Sequence, residues 1–426
     1  MFTLHTLPRL SSWVTSKPSS SMIACVFSTL HFLSPRIDCH TNHPVPSQKN
    51  GDGCDATTCL FPIHALPLCI FLFLSPIPCF LSTSHSTPFF LLFFSTVDMG
   101  KLMHAVQYHS YGGGPSALRH VEVPLPTPSK NEVLIKLEAA SLNPFDWKVQ
   151  KGMLWPLLPC KFPYIPGTDI TGEVIEVGKG VQKFKPGDKV VALVNPLSGG
   201  GLAEYAVAKE SITASRPSEN SASESAGLPV AGLTALQAIT KTIGIKLDGS
   251  GERKNILITA ASGGVGHYAI QLAKLGNTHV TATCGTRNIE LVKSLGADEV
   301  IDYKTPDGAA LKSPTGKKYD AVIHCAVGFP WSTFEPNLTL NGKVVDITPS
   351  SASMLTFAMK KLTFSKKQLV PLFLFPKGAD LQYLIDLVKE GKLKTVVDSK
   401  YPLTKAEDAW AKSIDGHATG KIIIEF

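Results

Sequence analysis

The feature that most restricts what this chain can fold into is a glycine turn between an apolar run and a helical pattern. Asn255-Ile-Leu-Ile-Thr-Ala260 leads through Ala261-Ser-Gly263-Gly264-Val-Gly266 to His267–Leu275, and a second apolar run follows, His279-Val-Thr-Ala-Thr-Cys284. Strand, small-residue turn, helix and strand in that order predict a βαβ unit, whose two strands run parallel because the helix carries the chain back. Small residues let the backbone approach a pyrophosphate, whose charge is met by the amides of the helix N-terminus. The competing reading, that these glycines only pack helix on strand, leaves the alternation that follows unexplained.

That alternation continues through Glu290–Leu295, Glu299–Tyr303, Ala321–Cys325 and Gly342–Ile347. It predicts a doubly wound parallel sheet whose strands are continuous apolar runs because both faces are buried. Upstream the texture differs. Met103–Tyr108, Glu132–Ala140, Asp169–Val177, Lys189–Val194 and Ala203–Val207 read as β runs separated by turn signals such as Pro186-Gly-Asp188. Helical spacing begins near Ala226, with Thr234 and Ala235 leading into a helix. After Pro376, Leu381, Leu384, Ile385 and Val388 form an apolar stripe ended by Gly391. A helix over Lys405–Ile414 and a strand over Lys421–Phe426 close the chain, and the strand is expected to return to the β domain.

The formal charge of +7 is dispersed rather than gathered in a stripe, so nucleic acid is not an expected partner. Six cysteines precede Met99, and only Cys160, Cys284 and Cys325 follow it. Widely separated thiols form neither a disulfide scaffold nor a structural zinc lobe, which fits a reducing compartment.

Residues 1–98 differ in kind, being rich in Ser, Pro, Phe, Leu and Cys without helical or strand periodicity. Apolar stretches at Leu66–Leu81 and Pro88–Ser95 are broken by Pro67, Pro76, Pro78 and Pro88, whereas a spanning helix needs about 20 uninterrupted apolar residues. A non-globular extension is expected here. It is a segment ahead of the true start at Met99, an atypical targeting segment, or an anchor.

The second strand ends Cys284-Gly-Thr286-Arg287-Asn288. An NAD site usually carries a carboxylate there for the ribose 2′-hydroxyl; its absence, with Arg287 able to grip a phosphate, predicts NADPH. Arg287 as a solvated surface charge is the alternative. Tyr303, closing the next strand, reads as packing on the adenosine side or as core filling.

Several motifs occur in one order: Asn143-Pro-Phe-Asp146-Trp-Lys148, Pro166-Gly-Thr-Asp169, Gly187-Asp-Lys-Val190, Ala203-Glu-Tyr205, the turn at Ala260–Gly266, Ser294-Leu-Gly-Ala-Asp298 and Asp415-Gly-His-Ala-Thr-Gly-Lys421. From Met99 onward the chain resembles the medium-chain dehydrogenase/reductase superfamily, in its quinone oxidoreductase branch and near the plant chloroplast-envelope members. The resemblance implies an α/β fold in which a GroES-like β domain is split around a Rossmann domain. The expected boundaries are 99–225 for the first part of the catalytic domain, 226–376 for the dinucleotide domain and 377–426 for the catalytic remainder.

Zinc members of the superfamily carry Gly-His-Glu where this chain has Gly167-Thr168-Asp169, so no metal site is expected. The activity implied is NADPH-dependent reduction of the carbon–carbon double bond of α,β-unsaturated ketones, including γ-ketols and oxo-lipids. Quinone reduction, or an NADPH-binding relative with little turnover, is the alternative. Lys148 is the expected hydrogen-bond donor, bridging ribose and substrate carbonyl, and Asn143 and Asp146 position it. Asp146 reads equally as a helix cap, and Tyr205 as aromatic packing. Thr234, Ser262, Gly263, Gly264, Val265, Gly266, Thr286, Arg287, Asn288, Tyr303, Cys325, Ala326, Ile347, Thr348, Lys421 and Lys148 itself are the expected cofactor contacts. The apolar run Leu369–Phe375 reads as a dimer-edge strand or a greasy wall for substrate. The resemblance also implies a monomer or homodimer and a peripheral place on the inner chloroplast envelope, with cytoplasm as the alternative.

Overall fold

A computed structural model describes residues 101–426 of the chain. The expectations for residues 1–98 lie outside the described residues.

β1 (Leu102–Gln107) and β2 (Arg119–Pro124) pair as an antiparallel hairpin. β3 (Glu132–Leu142) then forms the spine of a seven-stranded sheet and is followed by α1 (Pro144–Gln150), β4 (Asp169–Val177), β5 (Lys189–Leu193), β6 (Tyr205–Lys209) and β7 (Thr213–Ser215). β6 begins later than the expected Ala203, which makes only an isolated bridge to Ala105. α2 (Ala222–Ala226) and α3 (Pro229–Gln237) lead out of this sheet. Thr234 lies inside α3, not at its entrance, because Pro229, with no amide hydrogen to satisfy, starts the helix.

The second sheet is built from β8 (Lys254–Ile258), α4 (Gly266–Leu275), β9 (Thr278–Cys284), α5 (Ile289–Ser294), β10 (Glu299–Asp302), α6 (Pro306–Ala309), β11 (Tyr319–His324), α7 (Trp331–Phe334), β12 (Leu338–Asp346), α8 (Ser351–Leu362) and β13 (Gln368–Pro371). Its order is β10-β9-β8-β11-β12-β13, and every pairing is parallel. The winding reverses between β8 and β11, the crevice at which such sheets bind ligands. β13 closes one edge, so Leu369–Pro371 is an edge strand, with Phe373 and Phe375 exposed beyond it.

α9 (Gly378–Lys389) buries Leu381, Leu384, Ile385 and Leu387 in the same core as Ile256, Ile258 and Tyr268. That core runs on to Leu393 and also takes in Val191 and Ala214 of the first sheet. The helix must hide its stripe, and α3 offers the surface: a Cβ at Gly232 would stand 3.0 Å from Leu384 Cδ1.

β14 (Val397–Pro402), α10 (Ala406–Asp415) and β15 (Lys421–Glu425) return to the first sheet, where β15 pairs antiparallel with β3 and parallel with β14. Trp410 of α10 is fully buried among β-domain residues, and its Nε1 donates to Gln150 Oε1 at 2.9 Å. Trp410→Ala is therefore expected to cost about 3–5 kcal/mol, read as a lower midpoint in urea unfolding.

Candidate active site

The turn after β8 folds on itself before any cofactor is considered. Ala260 takes a left-handed φ of 46°, Gly263 N donates to Ala260 O at 2.9 Å, and Ala261 N donates to Thr283 O at 2.8 Å. The three glycines have different reasons. A Cβ at Gly266 would stand 2.5 Å from Ala260 O and 2.6 Å from Ala261 Cα, so only glycine lets α4 sit on this strand. At Gly263 the nearest atom would be 3.2 Å away, and at Gly264 it would be Lys421 Cδ at 3.4 Å. Helix packing thus explains Gly266, while Gly263 and Gly264 keep the turn low. This is a cradle suited to a dinucleotide pyrophosphate.

Around the turn, the expected contacts gather at the carboxyl ends of the parallel strands: Thr286–Asn288 after β9, Tyr303 after β10, Cys325 and Ala326 after β11, and Ile347 and Thr348 after β12. Their polar groups hold one another. Asn288 Nδ2 donates to Ser262 Oγ at 3.0 Å and to Thr419 Oγ1 at 3.1 Å, and Arg287 Nη2 donates to His417 O at 2.6 Å. Thr348 Oγ1 donates to Ala326 O, and Cys325 N donates to Thr259 Oγ1. Burial pushes the Cys325 thiol up to about 12, which keeps it protonated. Val265 is the N-cap of α4, and Tyr303, partly exposed, lies against Gly285.

Two expected contacts turn their polar ends elsewhere. The Thr234 hydroxyl donates to Val230 O within its own helix, the usual back-bond of a threonine in a helix. Lys421 is 2% exposed, with Nζ donating to Asn143 Oδ1 at 2.6 Å and lying 3.7 Å from Asp169 Oδ2.

The linear reading missed two groups. Parallel pairing of β10 with β9 sets Asp302 opposite Cys284, and its carboxylate accepts a hydrogen bond from Thr286 Oγ1. A carboxylate therefore does stand beside the second strand's end, supplied by the neighbouring strand. His267 is fully buried, and its Nδ1 lies 2.9 Å from Gly263 O; burial lowers its pKa to about 3, leaving the ring neutral. The only sequence signal for it is an imidazole directly after the last glycine of the turn.

The Asn143–Lys148 motif faces the turn from the other domain. Asn143 caps α1, Pro144 follows it, and Asn143 N donates to Asp146 Oδ2 at 2.8 Å, so Asp146 is a capping residue. Asn143 Nδ2 donates to Asp169 Oδ2 at 2.9 Å, and Val230 N, in the first turn of α3, donates to Asp169 Oδ1 at 3.0 Å. Lys148 is half-buried, with Nζ 5.7 Å from the Trp147 ring. Burial holds its pKa below the usual lysine value, opposed by the charge of Asp346 at the end of β12. Tyr205 packs with Met103 and Ala203, away from this cleft.

Chemically, the cleft pairs an anion-accepting turn with a partly dehydrated ammonium from the opposite domain, the arrangement needed to hold a charged dinucleotide and stabilise a developing oxyanion. Among the described residues, no three His, Cys, Asp or Glu side chains come together as a metal site.

Comparison with known proteins agrees with this fold. Residues 129–218 match the alcohol dehydrogenase GroES-like domain, and residues 295–424 match the zinc-binding dehydrogenase family. The chain is 71% identical over 326 residues to a chloroplast envelope quinone oxidoreductase homolog of Arabidopsis thaliana, covering 76% of this chain and 99% of that one. It is 34% identical to an Arabidopsis chloroplastic NADPH-dependent alkenal/one oxidoreductase, covering 76% of this chain and 80% of that protein. A solved quinone oxidoreductase from Coxiella burnetii superposes with a TM-score of 0.68 at 33% identity, covering 76% of this chain and all of that one.

Asp146 yields a pH prediction. Burial, with Asp169 nearby, raises its pKa from 3.8 to about 7, against the opposing Asn143 hydrogen bond. Its stabilising contribution is thus fully present below pH 3.8 and is lost as pH rises through about 7. Asp146→Asn, which stays neutral, should gain stability relative to wild type across that window. Paired urea-unfolding curves at successive pH check this, because terms common to both proteins, such as that of His267, cancel in the difference.

Proposed function

Because the chain belongs to the medium-chain dehydrogenase/reductase family, in its quinone oxidoreductase branch, we propose that it is a zinc-independent, NADPH-dependent reductase of the carbon–carbon double bond of α,β-unsaturated ketones. The carrying observation is the half-buried Lys148, on a capped helix and within the electrostatic reach of Asp346 at the end of β12. The alkenal/one oxidoreductase relative supports the reaction, and Gly167-Thr168-Asp169 in place of Gly-His-Glu supports chemistry without a metal.

Bound at the cradle, the nicotinamide cofactor supplies the hydride. Gly263, Gly264 and the amides at the start of α4 would hold its pyrophosphate, bordered by Ser262, Thr286 and Asn288, and Arg287, which now donates to His417 O, would be the residue to meet a 2′-phosphate. Asp302, beside Thr286, works against this preference, so Arg287 carries the selectivity for NADPH. Lys148 donates a hydrogen bond to the substrate carbonyl and stabilises the enolate oxygen as charge builds on it, while Asn143 and Asp146 fix the helix that presents it.

A second reading, quinone reduction, is favoured by the name of the 71% identical relative. Either substrate is a small molecule. The relatives' names support a chloroplast location, with peripheral attachment to the envelope as the finer reading. No described helix is long and apolar enough to cross a membrane. The open edge at β13 supports a homodimer over a monomer.

Loss of NADPH absorbance with an enone, a quinone and a saturated aldehyde tests the activity. Enone-dependent loss is expected, and loss with quinone alone would refute double-bond reduction. Lys148→Ala should lower turnover by about 10²–10³-fold with little change in NADPH affinity. Arg287→Ala should weaken NADPH binding by about 10- to 100-fold and leave NADH binding nearly unchanged, by fluorescence titration.

A further inference from the structure

Behind the cleft lies a charged cluster whose ion pair, Lys421 with Asp169, the proposed chemistry does not use. Lys421, Asp169, Asn143 and Asp146 are each at most 3% exposed, and they come from the start of β15, the start of β4, the end of β3 and α1. Two oriented contacts leave the Asn143 amide a single orientation. An ammonium can only donate, so Lys421 holds Oδ1 at 2.6 Å; a carboxylate can only accept, so Asp169 holds Nδ2 at 2.9 Å. Asp169 also takes the Val230 amide at the start of α3, while the stem of Lys421 lies against the turn, with Cδ 3.4 Å from where a Cβ at Gly264 would be. One buried side chain thus touches both the cofactor cradle and the cap of the helix that carries Lys148.

We infer that the Lys421–Asp169 pair is a register lock: through Asn143 it sets the position of Lys148 relative to the glycine turn, so that a dinucleotide seated on the turn meets Lys148. Lys421 and Asp169 are positioning residues. This inference rests on the proposed role of Lys148 at the substrate carbonyl, where a seated nicotinamide would cover it. A buried ion pair is a costly way to gain stability alone, since apolar groups of similar volume often serve as well, whereas its directionality fixes geometry.

The test uses the full chain and two readouts. Lys421→Met alone leaves Asp169 without its partner, so the informative variant is Lys421→Met/Asp169→Asn, which removes both charges. NADPH affinity is measured by fluorescence titration, and the exposure of Lys148 by trace acetylation with acetic anhydride and mass spectrometry, with and without NADPH. In wild type, NADPH protects Lys148. In the double variant NADPH still binds, protection is lost, and kcat falls by about 10²-fold, as a misplacement on the order of 1 Å produces. Protection equal to wild type overturns the inference whatever the turnover. So does loss of NADPH binding, or failure of the double variant to fold, because the pair would then serve the turn alone or the fold at large. Wild type that shows protected Lys148 but consumes no NADPH with any substrate refutes the proposed activity and not the lock. NADPH that leaves wild-type Lys148 unprotected removes the premise, and the lock with it.

Discussion

A lysine ammonium withdrawn from water between two domains must find fixed partners, and Lys421 finds them in Asn143, the Leu142 carbonyl and Asp169. Burial holds its pKa below the usual lysine value, against the pull of Asp169 and Asp146, and the same burial raises Asp169 to about 6. The cluster joins the end of β3, the start of β4 and the start of α3 to the side of the glycine turn. Two carboxyls, one ammonium and one amide in a dry seam tolerate few arrangements.

The parallel sheet makes the opposite contribution. Its strands end together at one edge, so residues far apart in the chain, from Ser262 to Thr348, line one crevice without any side chain reaching far. Loops at that edge can vary while the sheet stays, which is why the fold itself leaves the reaction open. The opposing element is α1, short, with a capping box between Asn143 and Asp146 and with Lys148 in its last turn, and the proposed reaction turns on that lysine.

Much of the frame was legible from periodicity. The βαβ unit, the alternation to Gly342–Ile347 and the return of the last strand are local patterns with local causes, and the sheets follow them with shifts of a few residues. Two features were not legible in it, for one cause. Packing of α9 on α3 and the late start of β6 depend on which surfaces lie uncovered nearby, and spacing along the chain carries no record of that.

For the site, residue types and turn chemistry determined most of the inventory: the glycine cradle, Arg287 and the Asn143–Lys148 helix with its cap. Tertiary structure decided what each does. It divided the glycines between packing and access, turned Thr234 onto its own helix, brought Asp302 beside Thr286 through strand pairing, and buried Lys421 in the seam. The physical reason is that a side chain's chemistry is written in its type, whereas its partners are set by contacts across 100 residues or more, such as the 278 between Lys421 and Asn143. Burial and hydrogen-bond direction exist only once those distant segments meet.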